Sequence, residues 1–234
     1  MSILYPGMLF TASIGWLLSF FGLFVAFSIW QTGKKEKSNF IFALFWFLFA
    51  FVWFFIGLRH LFAAIGLSEL DKRFFLVGQV FIFLHMVPAG FYIYLKTFQR
   101  NVIAFAFGFL FLLLAIISII TLFKYGIITG PVSNFTTEYA PNIFSLNIFR
   151  FLLILGLPLF YYHCLRLIFR WFRQRKIIQL PFFLANLSII VYATLGYFDE
   201  KGYMSDWPLV FFRLSYLFAI FLVYLSLALR EKSS

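Results

Sequence analysis

The residues of this sequence best suited to chemistry in an apolar setting are three histidines and a few arginines. His85 and His163 each lie well inside a long hydrophobic run, while Arg59, His60, Arg150 and Arg213 lie near the ends of such runs. Ionisable groups at membrane depth are costly to keep, which makes them candidates for function. Two facing imidazoles can ligate a b-type haem, hold another metal or relay protons. The plainer account gives each histidine an interhelical hydrogen bond. The four residues near run ends can form a basic outer vestibule for an anionic ligand or a lipid headgroup. Alternatively, the arginines snorkel to the interface and pair with Asp199, Glu200 or Asp206.

Composition dictates what must position these groups. Of 234 residues, 64% are hydrophobic and 12% charged, about half the charged share of an ordinary soluble domain. A core of normal size cannot hide that much apolar surface, whereas a bilayer can. Crossing a hydrocarbon layer about 30 Å thick takes roughly 20 apolar residues. Seven runs meet that length: 8–30, 40–62, 74–95, 102–123, 148–169, 177–198 and 208–229. Most lack the in/out alternation of barrel strands. The expected fold is therefore all-α, a seven-transmembrane-helix bundle in a single domain over 1–234. His85 falls eleven residues into its span and His163 fifteen into its own. At about 1.5 Å per residue their depths differ by roughly 6 Å, so neighbouring third and fifth spans would let them meet.

Orientation follows from where lysine and arginine fall. One face carries Lys34, Lys35, Lys37, Lys96, Arg100, Arg166, Arg170, Arg173, Arg175, Lys176, Arg230 and Lys232. The other carries Arg59, Lys72, Arg73, Lys124, Arg150, Lys201 and Arg213. Twelve bases against seven make the first face cytoplasmic, giving N-out and C-in. Trp30, Trp171 and Trp207 stand at span ends, where an amphipathic ring suits the headgroup layer. The 39 phenylalanines read as lipid-facing and interhelical bulk. The net charge of +11 follows from this topology and does not call for nucleic acid.

The longest loop, 124–147, lies outside, and Gly130-Pro131 and Pro141 predict a turn-rich cap or lid with no extended helix. It includes Asn134-Phe135-Thr136, an N-glycosylation triplet. Within the spans, Trp46, Trp53 and His60 recur every seven residues, as do Gln179 and Asn186, so each set keeps close to one helix face. Pro88 with Gly90, Pro158 with Gly156, and Pro181 mark expected kinks, whose freed backbone groups need protein or water partners. The lone Cys164 reads as a buried structural thiol. The amino-terminal stretch lacks the basic n-region of a secretory signal, so the first run is kept as a helix of the mature protein.

Metalloprotease and phosphate-loop motifs are absent, and no carboxylate pair lies inside a span. The last span has no lysine for a retinal Schiff base. The expected function is non-enzymatic: a sensor, receptor or partner-binding membrane protein that acts through a separate chain or a second copy. One alternative is a small solute or ion transporter with a 3+1+3 helix arrangement. The layout resembles that of the seven-helix sugar transporters, whose proline–glutamine signature this chain lacks, and no family is assigned. The other alternative is a haem b-binding subunit of a redox complex, held by His85 and His163. The plasma membrane or a bacterial inner membrane is the expected location.

Overall fold

A computed structural model of the chain describes residues 5–32, 37–174 and 206–231. Its elements in order are α1 (Pro6–Thr32), α2 (Lys37–Ala64), α3 (Ser68–Phe98), α4 (Asn101–Tyr125), β1 (Ile127–Val132), β2 (Thr137–Pro141), α5 (Ile143–Gln174) and α6 (Asp206–Glu231). All six helices are long and apolar enough to cross a membrane. The protein is thus a helical, multi-pass, membrane-embedded chain. The expected span 177–198 lies outside the described residues, as do Trp207's side chain, Gln179, Pro181 and Asn186.

The chain forms two compact units, residues 1–159 and 160–234. In the first, α1 to α4 pack as successive antiparallel neighbours, and glycines set how closely. A Cβ built on Gly15 would lie 3.1 Å from the backbone nitrogen of Gly57, and one on Gly57 would lie 2.4 Å from the Trp16 indole. Small residues let backbones approach where no water-driven force holds helices together. Between α3 and α4 the fit is reciprocal. The Phe111 ring occupies the space beside Gly90, and the Phe91 ring occupies the space beside Gly108. Around that contact Tyr94, Ala104, Phe111 and Leu152 form a buried cluster.

Helix ends follow local chemistry. Glu69 and Asp71 occupy the first turn of α3, where the positive end of the helix dipole favours acids. Gln99 closes α3 in the left-handed region at φ 53°. Asn142 serves two helices at once: its Oδ1 accepts from the Ser145 N–H at 3.1 Å, while its Nδ2 donates to the carbonyls of Thr121 at 2.9 Å and Gly126 at 3.2 Å. One amide therefore caps the start of α5 and ties it to carbonyls around the end of α4.

The turn-rich loop 124–147 contains an antiparallel hairpin, a two-stranded correction to the all-α expectation in an otherwise helical chain. Ile127 pairs with Pro141, Ile128 with Ala140 and Thr129 with Tyr139, and the register shifts before Val132 pairs with Thr137. The shift falls on Gly130-Pro131, where proline has no N–H to give a ladder. Ser133 organises the tip, its Oγ accepting from the N–H groups of Phe135 and Thr136. In the second unit, Leu209, Phe212, Arg213, Tyr216, Ile220 and Val223 of α6 are buried at helical spacing, forming one covered stripe.

Candidate hairpin-cap site

The connection Ile65–Leu67 reverses the chain within three residues, with Gly66 at φ 79°. Positions just before it on α2 therefore face positions just after it on α3. This brings Arg59 to Asp71, with Nε 3.1 Å from Oδ1. Both are buried, at 7% and 0% exposure. A buried pair of this kind holds only if the remaining donors and lone pairs are also satisfied.

The hairpin satisfies them. The Thr137 hydroxyl donates to Asp71 Oδ2 at 2.6 Å, and Arg59 Nη2 donates to the carbonyl and hydroxyl of Thr137. The guanidinium carbon lies 4.9 Å from the centroid of the Phe75 ring on α3 and 5.1 Å from that of Tyr139 on β2, an arrangement favourable to a planar cation. Burial, and after it the Asp71 carboxylate, pushes the Tyr139 phenol up to about 12.

His60 extends the cluster toward the hairpin tip. It is fully buried, with Nδ1 2.7 Å from the Ile56 carbonyl and Nε2 3.2 Å from the Thr136 hydroxyl. A carbonyl only accepts, so the proton sits on Nδ1. On α1, the Thr11 hydroxyl donates to the Phe135 carbonyl at 3.0 Å, and a Cβ on Gly7 would meet the Asn134 carbonyl at 2.6 Å. Side chains of α1, α2 and α3 thus converge on one strand-turn-strand. Chemically this is an electrostatic latch that ties the hairpin loop to three helices.

The other expected site residues lie on α3, α5 and α6. Arg150 is half-buried on α5 with Nη1 3.4 Å from Asn147 Oδ1. Arg213 is buried on α6, in the second unit. His85 is half-buried on α3, donating from Nδ1 to the Ile82 carbonyl at 2.5 Å beside the Phe45 ring. His163, half-buried on α5, lies in the second unit beside Tyr162. Among the described residues no group of three His, Cys, Asp or Glu side chains is placed to hold a metal ion.

Sequence reading located Arg59 and His60 but missed Asp71, Thr136, Thr137 and Tyr139. A signal for Asp71 was present. Arg59 stands five residues before the end of α2 and Asp71 three after the start of α3, so a three-residue connection puts them at nearly equal height. Nothing comparable marked the threonines, whose place depends on how the hairpin folds back.

The fold and this cluster define a class, a multi-pass helical membrane protein with a hairpin cap latched to the ends of its helices. No protein-family model, curated protein or solved structure matches the chain.

Proposed function

We propose that the chain is a seven-helix, N-out and C-in membrane protein of the sensor, receptor or partner-binding kind, non-enzymatic and acting through a separate chain. The single observation that carries this reading is the buried Arg59–Asp71 pair completed by Thr137 of the hairpin. A loop tied this way makes anything that binds it a load on α1, α2 and α3 together. Cap and helices share one set of hydrogen bonds, which suits detection at the outer face and response across the membrane. The twelve-to-seven split of basic residues supports the orientation. The apolar run 177–198 supports the seventh helix.

Solute flux in reconstituted liposomes tests the reading. Uptake at the level of empty vesicles is expected for sugars, amino acids and monovalent ions. Robust uptake of any of them would move the protein to the transporters. Cross-linking to a partner chain in its own membrane is expected to weaken in Asp71→Asn, because that change loosens the cap. An anionic ligand at the outer mouth would depend on Arg150 and Arg213, and binding that survives Arg150→Ala with Arg213→Ala would retire it.

A further inference from the structure

We propose that the seam between α2 and α3 binds an anionic phospholipid, its phosphate on Lys96 and one acyl chain along a ladder of stacked rings. The two helices are antiparallel neighbours, so early positions of α2 face late positions of α3. Three ring pairs span the seam. Phe42 stacks on Tyr92 at 4.5 Å and 17° between planes, Phe51 on Phe81 at 5.1 Å and 15°, and Phe62 on Phe74 at 5.1 Å and 6°. All six rings are half-buried, so the ladder keeps an open side. From Phe74 to Tyr92 it rises about 27 Å, at about 1.5 Å per residue. That nearly matches a hydrocarbon layer about 30 Å thick. The part between Tyr92 and Phe81, about 16 Å long, is the depth that the chains of one leaflet fill.

The charge at its head decides the occupant. Lys96 is exposed in the last turn of α3, with Nζ 3.4 Å from Ser38 Oγ at the start of α2 and 5.6 Å from the centroid of the Tyr92 ring. These contacts hold the ammonium beside the first rung. One donation to serine leaves two of its N–H groups for phosphate oxygens. The neighbouring chain segments carry Lys34, Lys35, Lys37 and Arg100 against the single acid Glu36. At the hairpin end, by contrast, bases have acids at hand: Arg59 pairs with Asp71 and Lys72 with Glu69. A second apolar helix would match the rings but not the cation at their head. A lipid with a negative headgroup and an apolar chain matches both.

Photo-cross-linking of the full chain in phosphatidylcholine nanodiscs tests this. The probe is phosphatidylglycerol with a diazirine at mid-chain, and phosphatidylcholine with the same diazirine runs in parallel. The anionic probe is expected to mark residues 42–51 and 81–92 more strongly than the zwitterionic one. Lys96→Gln is expected to lower that labelling about fivefold, the change one interfacial lysine brings, and Lys96→Arg to keep it. Lys72→Gln, at the other end of the seam, should leave it unchanged. Equal labelling by both probes, full labelling in Lys96→Gln, loss in Lys96→Arg or an equal loss in Lys72→Gln would overturn the site. So would cross-links from these residues to a second protein chain in place of lipid.

Discussion

At the scale of the residue, the most exacting feature is a charge with almost no water around it. Replacing Asp71 with alanine leaves the Arg59 guanidinium buried without its carboxylate, a change that costs about 3–5 kcal/mol in comparable settings. The double change Arg59→Met with Asp71→Leu removes both charges and is expected to lose less than either single change. Unfolding in detergent measures both, and a double variant as unstable as the worse single one would show that the pair is not what Asp71 serves. Tyr139 adds a pH dependence with a defined sign. Its folded value of about 12 lies above the ordinary phenol value of about 10. The folded state thus keeps a proton the unfolded chain loses. Stability from this group is complete below pH about 10 and falls away up to pH 12. Melting temperatures across that range should decline less steeply in Tyr139→Phe than in the parent protein.

At the scale of the element, helix contacts depend on where a side chain has been left out. Gly57→Ala drives a methyl to 2.4 Å from Trp16, and overpacking of that kind costs about 1–3 kcal/mol. Gly78 is an internal control, since a Cβ there would stand 3.6 Å from Phe55. Gly78→Ala is expected to change stability by less than about 0.5 kcal/mol. Equal losses at the two positions, read from the same unfolding curves, would contradict the packing account. The helices themselves were legible from length alone, because a run of about 20 apolar residues has few other destinations. The expected run 102–123 became α4 at Asn101–Tyr125 with little change. Their ends were less legible. The run 74–95 became α3 at Ser68–Phe98, because Glu69 and Asp71 read as loop by polarity yet are suited to the first turn of a helix. The hairpin was hidden for a related reason. Its strands are five and six residues long, too short for alternation to declare itself beside Gly130-Pro131.

At the scale of the whole molecule, the testable quantity is which side the cap faces. In a Cys164→Ser background, Val132→Cys places one thiol on the hairpin at a position 53% exposed. A membrane-impermeant maleimide is expected to label it in intact cells. Labelling only after the membrane is broken would invert the orientation, and the sensor reading with it. The charge split that predicts this is a property of the full sequence and was readable there. The latch beneath the cap was half readable. Arg59 and His60 announced themselves as charges near a span end, whereas Thr136 and Thr137 are ordinary loop residues until the strand beside them is placed.

The Thr136 side chain has a further consequence for biosynthesis. Its hydroxyl is the third member of the Asn134-Phe135-Thr136 triplet, and in the folded protein it is 6% exposed and held against His60. An enzyme that reads the triplet must reach that hydroxyl, so sugar transfer to Asn134 and closure of the loop exclude each other in time. In a eukaryotic host, the glycosylated fraction becomes a clock for how fast the nascent hairpin docks. Arg59→Ala, by delaying docking, is expected to raise it.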